Sequence, residues 1–155
     1  MKRLIRVYVD TSVIGGCLDT EFQKWSRQLM SEFRIGTLCP VVSMLTQQEI
    51  ARSPEEVQDI YTELLDNDAE LVDISEEAIK LADNYLAHNI LTPNYRNDAI
   101  HIAVATISKV DMLVSWNFQH IVHYDKIRLF NAVNLEMGYK PIEIYSPREV
   151  INYER

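Results

Sequence analysis

Leu4–Gly16, LIRVYVDTSVIGG, decides how this chain folds. Leu4, Ile5, Val7, Tyr8 and Val9 make a short β-prone run, broken only by Arg6 and ended by the carboxylate of Asp10. Such a nearly continuous apolar run marks a strand buried on both faces, as in a parallel sheet. In open α/β sheets the ligand crevice lies beyond the carboxyl ends of the strands, where Asp10 would stand. Two readings of Asp10-Thr11-Ser12 compete here. One places Asp10 in a crevice; the other has these residues cap the next helix, for which all three types are suited.

Working outward, apolar residues alternate between the periods of strand and helix. Phe22, Trp25, Leu29, Met30 and Phe33 recur at helical spacing before Gly36, a natural stop, and read as a core stripe. Leu38 to Ser43 predicts a second strand, and Leu45 to Ala51 a helical piece that carries Glu49. Ser53-Pro54-Glu55-Glu56 has the form of a capping box with Pro54 at the first helical position. Glu70 to Ile74 predicts a third strand, and Ser75 caps a helix whose buried stripe is Ala78, Leu81, Ala82, Tyr85 and Leu86. Asn97 to Lys109 is so apolar that its helix should be buried all round. Met112 to Trp116 and Ile142 to Tyr145 complete five strands, and a short helical segment containing Asn117 follows the fourth. Ser146-Pro147-Arg148-Glu149 repeats the capping-box pattern. Strands alternating with helices predict a three-layer α/β/α fold around a five-stranded parallel sheet.

The totals set limits on function. A chain of 155 residues, 47% hydrophobic and 25% charged, fits one domain with a real core, residues 1–155. The net charge of -8 argues against gripping a polyanion over a wide area, so a nucleic-acid substrate would need a local basic patch or bound cations. Cys17 and Cys39 have no metal or disulfide spacing, which points to a reducing cytoplasm. Met1-Lys2-Arg3 is basic, but Arg6 and Asp10 interrupt the apolar run behind it, so neither a signal peptide nor a membrane span is expected.

Three polar residues stand where a core has no need of them. Asp10 ends the first strand, Asp98 opens the apolar helix, and Asn117 follows the fourth strand in LVSWN. Strands one and four are natural neighbours across the topological switch point, so these positions converge, and Glu49 joins them from beside strand two. Two ionised carboxylates about 4 Å apart repel by on the order of 4 kcal/mol at an effective dielectric of about 20. Either a proton or a cation must relieve them, and oxygen donors suit magnesium or manganese. Plainer roles exist for each: Glu49 in a Thr46-x-x-Glu49 capping box, Asp98 complementing a helix N-terminus, Asn117 capping its own helix. The joint placement favours a site.

On VYVDTSVIGG, Glu49, RNDAIHIAVA and LVSWNFQHIV, the chain resembles the PIN-domain ribonucleases, a family that includes toxins of toxin–antitoxin pairs. The resemblance spans essentially the whole chain. It implies a five-stranded parallel sheet, cleavage of RNA phosphodiester bonds dependent on Mg2+ or Mn2+, and frequent homodimers. It also implies, for a toxin, a small antitoxin protein that covers the acidic pocket. Carried onto these residues, Asp10, Glu49 and Asp98 are catalytic, and with Asn117 they are the metal set. Asn117 stands where many members carry an acid, which makes a second metal doubtful and brings Asp125 into view as a substitute. Ser12 and Ser115 hydrogen-bond the ligands or phosphate oxygens, and Arg96 is the nearest cation for the RNA backbone. His101, at i+3 from Asp98, reads as a bond to Asp98, a proton carrier or a satisfied structural histidine; His120 and His123 read as surface residues. A phosphatase with an aspartyl nucleophile is disfavoured because Ser12 stands where its second Asp belongs. The standing alternative is a non-catalytic PIN-like module that binds RNA or protein.

Overall fold

A computed structural model describes residues 4–151; the basic Met1-Lys2-Arg3 lies outside the described residues. In chain order the elements are β1 (Ile5–Val9), α1 (Thr11–Gly16), α2 (Gln23–Ile35), β2 (Leu38–Ser43), α3 (Met44–Ile50), α4 (Glu55–Asp66) and β3 (Glu70–Val72). There follow α5 (Glu76–Ala87), a 3-10 turn at Pro93–Tyr95, α6 (Arg96–Ile107), β4 (Met112–Val114), α7 (Tyr124–Glu136), β5 (Ile144–Tyr145) and α8 (Pro147–Ile151). The five strands are parallel in the order β3-β2-β1-β4-β5.

β1 is central because its carboxyl half, Val7 to Val9, has no polar face to show. Val7, Tyr8 and Val9 are wholly buried, and their alternation sends Val7 and Val9 to one apolar layer and Tyr8 to the other. The first layer includes residues of α1, α2 and α4; the second includes residues of α5, α6 and α7. Ala99 to Thr106 of α6 are all buried, as the absence of a polar face requires. The chain runs outward from β1 to β2 and β3, then returns to pair β4 on the other side. The switch point therefore lies between the carboxyl ends of β1 and β4, where Val9 pairs with Val114 and Asp10 N–H donates to the Val114 carbonyl at 3.1 Å.

Several local expectations hold. Gly36 closes α2 in the left-handed region, with φ 89. Ser75 caps α5, and Ser146 with Glu149 forms the expected capping box. Cys17 and Cys39 are free thiols. Others change for identifiable reasons. Pro54, not Ser53, is the residue preceding α4, and it has no side-chain cap to offer; the Ser53 hydroxyl instead donates to the Glu49 carbonyl. The capping box at α3 joins Ser43 to Thr46, which leaves the Glu49 side chain out of it. β3, β4 and β5 are shorter than their apolar runs, because pairing ends before apolarity does. The stretch after β4 is a set of turns, not a helix.

Candidate functional site

Asp10 occupies the N-cap position of α1, yet its side chain makes no capping hydrogen bond. Its Oδ2 accepts instead from Ser12 Oγ at 2.7 Å and Ser115 Oγ at 2.8 Å. Of the two readings of this residue, side-chain capping of α1 is not what the carboxylate does. Ser12 Oγ in turn accepts from the Trp116 N–H, and Ser115 Oγ from the Asn117 N–H. Both serines thus bond the acid, the first of the two roles expected of them. Ser115 is wholly buried, so the alternative of touching a phosphate oxygen is closed to it.

Glu49 reaches the same edge from α3. Its Oε1 accepts from Thr11 Oγ1 at 2.7 Å and meets His101 Nε2 at 2.6 Å. The other ring nitrogen of His101, Nδ1, lies 2.7 Å from the Tyr8 hydroxyl, which also bonds Ser43 Oγ at 2.7 Å. His101 Nε2 is 3.6 Å from Asp10 Oδ1 as well. Of the roles considered for His101, a bond to Asp98 is not the one it plays; it is buried and satisfied, but by Glu49 and Tyr8.

Asp98 stands in the first turn of α6. Its Oδ2 receives the Asn117 Nδ2 at 3.3 Å and His120 Nδ1 at 3.1 Å. His120 is buried, against the expectation of a surface residue, because Tyr95 packs on its ring with centroids 3.8 Å apart. Asn117 Oδ1 accepts from the His120 N–H, so the oxygen expected to serve a cation caps a turn here. His123 is half-buried and caps α7 through its ring. Asp125 is exposed in the first turn of α7. Arg96, exposed two residues before Asp98, pairs with Asp83 at 3.3 Å.

The electrostatics follow from this crowding. Burial disfavours the charged carboxylate of Asp98 and the neighbouring Asp10 charge adds to it, so its pKa is raised despite His120 and His101. Burial pushes Glu49 up too, but the hydrogen bond and charge of His101 and the Thr11 hydroxyl hold it below the ordinary value. Burial works against a charged His101; the Tyr8 oxygen, the Glu49 hydrogen bond and the charges of Asp10 and Glu49 outweigh it and raise the ring well above its ordinary pKa.

Each of the three acids has one oxygen held by protein donors and one that takes no hydrogen bond among the described residues: Asp10 Oδ1, Glu49 Oε2 and Asp98 Oδ1. Held carboxylates with a spare oxygen suit a hard divalent cation. Among the described residues no three His, Cys, Asp or Glu side chains are grouped closely enough to enclose a cation. A cation here would keep several waters, as magnesium commonly does.

No protein-family model and no curated protein sequence matches the chain. A chain of the VapBC2 structure from Rickettsia felis, bound to a DNA fragment from their promoter, superposes with TM-score 0.59 at 12% identity, covering 92% of this chain and 98% of that one. A chain of a toxin-antitoxin complex from Klebsiella pneumoniae superposes with TM-score 0.56 at 14% identity, covering 74% and 88%. The fold is PIN-like. At these identities the likeness is one of architecture, and it agrees with the fold expected from the motifs around Asp10, Glu49, Asp98 and Asn117. The PIN-like frame also accounts for the site's place: Asp10 ends the central strand, and Asp98 opens the buried helix across the switch point.

Of the residues behind the acids, only His101 was weighed for a role there from the sequence. Tyr8, Thr11, His101 and His120 supply the layer behind the acids. His101 gave a signal, its i+3 spacing from Asp98; Tyr8 gave a weaker one, two residues before Asp10 on a strand. No helix among the described residues is long and apolar enough to cross a membrane.

Proposed function

We propose that this single PIN-like domain is a metal-dependent endoribonuclease, acting as the toxin of a toxin–antitoxin pair. The observation that carries the reading is that each of Asp10, Glu49 and Asp98 keeps one oxygen free of hydrogen bonds among the described residues, with its partner oxygen tied down by serine, threonine, histidine or asparagine. Asp10 and Asp98 would hold Mg2+ or Mn2+, with Glu49 beside them. When bound, such a cation lowers the pKa of water and neutralises charge building on the scissile phosphate.

The chain's own residues do the rest. Ser12 and Ser115 fix Asp10; Asn117 and His120 fix Asp98, so Asn117 serves from behind the carboxylate. Glu49 or Asp98 orients a water for in-line attack. As the water oxygen bonds to phosphorus, the bond to the leaving oxygen breaks. The water's proton passes to the carboxylate and solvent protonates the leaving oxygen. Arg96 holds the RNA backbone. A cytoplasmic setting, a homodimer and a small antitoxin that places a basic side chain against the acids belong to the same reading; the likeness to toxin-antitoxin complexes supports the antitoxin.

One observation favours the alternative, a non-catalytic module that binds RNA or protein: no three metal-binding side chains are closely grouped among the described residues. The deciding experiment is incubation of purified protein with single-stranded and structured RNAs in manganese, magnesium or EDTA, beside Asp10→Ala and Asp98→Ala. Cutting that needs metal and is lost in both variants supports the nuclease. No cutting and no metal binding supports the module.

A further inference from the structure

The chain of contacts Ser43–Tyr8–His101–Glu49 enters the acidic site from the core. Its members come from β2, β1, α6 and α3, and the links measure 2.7, 2.7 and 2.6 Å. His101 is 1% exposed and both of its ring nitrogens are engaged, so the ring has a fixed place. Its Nε2 lies 2.6 Å from Glu49 Oε1 and 3.6 Å from Asp10 Oδ1, within reach of both acids.

A cation shared by Asp10 Oδ1 and Glu49 Oε1 would have to compete with the ring N–H for the Glu49 oxygen it already holds at 2.6 Å. Asp98 has no such intruder. Its two donors, Asn117 and His120, follow β4 in the chain and hold one oxygen only. Glu49 Oε1 is held twice, by Thr11 and His101, which fixes the direction of Oε2.

Building on the nuclease reading, we propose that His101 is a positioning residue that divides the acids by role: Asp10 and Asp98 hold the cation, while Glu49, anchored by the His101 N–H, stays outside its inner shell and orients the water. Tyr8 acts through His101 by keeping the ring turned towards Glu49. A ring that only filled core volume would leave cation affinity and turnover alike unaffected once the protein folds.

The test measures Mn2+ affinity by electron paramagnetic resonance without RNA, and kcat and KM on a cleavable RNA. The variants are Glu49→Gln, Asp98→Asn, His101→Leu, His101→Gln and Tyr8→Phe, each checked for its melting transition. Asp98→Asn should weaken Mn2+ binding about tenfold or more, and Glu49→Gln by no more than about threefold. His101→Leu should lower kcat about 10- to 100-fold with KM and Mn2+ affinity nearly unchanged, and His101→Gln, which keeps an N–H donor, should recover part of it. Tyr8→Phe should fall between wild type and His101→Leu, and it decides the matter if His101→Leu does not fold. Equal loss of Mn2+ affinity in Glu49→Gln and Asp98→Asn overturns the division of roles. Wild-type kcat in folded His101→Leu or Tyr8→Phe overturns the positioning role. If wild-type protein neither binds Mn2+ nor cuts RNA, the nuclease reading itself falls, and this inference with it.

Discussion

Ser115 Oγ lies 2.8 Å from Asp10 Oδ2, although 105 residues separate the two in the chain. This contact ties the residue after β4 to the residue after β1 at the carboxyl edge of the sheet, and it holds Asp10 Oδ2 in place. The serine is wholly buried, and its hydroxyl also accepts the Asn117 N–H and lies 3.4 Å from Ser12 Oγ, the other hydroxyl on Asp10 Oδ2. Loop conformation after β4 and carboxylate orientation after β1 are thereby one structural event.

The Glu49–His101 pair should give metal-free protein a stability maximum between two pH limbs. Glu49 is held below its ordinary value of 4.5, so its contribution is present above that pH and is lost as pH falls through the folded value. His101 is held well above 6.5, so its contribution is complete below 6.5 and is lost as pH rises through the folded value. Chemical denaturation from pH 3 to 10 measures both limbs. His101→Gln should flatten the alkaline one, and an unaltered alkaline limb in that variant counts against the pair.

Asp98→Asn should separate stability from metal response. Burial and the Asp10 charge raise the pKa of Asp98, which means that the folded protein disfavours its ionised form. Removing the charge should leave the metal-free melting temperature at or above that of wild type. Wild type should gain melting temperature with millimolar manganese by mass action, and Asp98→Asn should gain much less. Thermal melts with and without manganese are sufficient; equal metal shifts would remove Asp98 from the cation's surroundings.

Gly16→Ala should destabilise the fold without touching the acids. A methyl at Gly16 would stand 2.7 Å from both Ser26 Oγ and Trp116 Nε1, and those two atoms are bonded to each other at 2.8 Å. Phe22 stacks on Trp116 at 4.2 Å, so the indole cannot easily retreat. Overpacking of this kind costs about 1–3 kcal/mol. Urea titration followed by tryptophan fluorescence reads it, and wild-type stability would show that the indole does give way.

Arg96→Ala should spare stability and weaken RNA. Its bond to Asp83 joins exposed side chains, and such pairs contribute about 0–1 kcal/mol. If Arg96 instead meets phosphate, KM should rise and its dependence on salt should become shallower. KM measured at several salt concentrations decides this, and an unchanged KM leaves Arg96 with only its bond to Asp83.

The three acids were legible because each is the odd residue in a local pattern: Asp10 ends an apolar run, Asp98 opens an apolar helix, and Glu49 follows the strand expected beside the first. Tyr8 and His101 were not, since both also fit the apolar periodicity of β1 and α6 and pass for core. His120 looked exposed because nothing in LVSWNFQHIV announces that Tyr95, from another turn, lies on its ring.

The sequence by itself determined the layers, the parallel sheet and the edge on which the acids gather, because the periods of strand and helix are local properties that single substitutions of polarity reveal. Only the tertiary structure decided which oxygen of each acid is held and by which donor. Those bonds join residues 38, 52 and 105 positions apart. They form where buried polar atoms must find partners or bear the cost of desolvation, and the identity of the partner is fixed by which elements the packed core brings within about 3 Å.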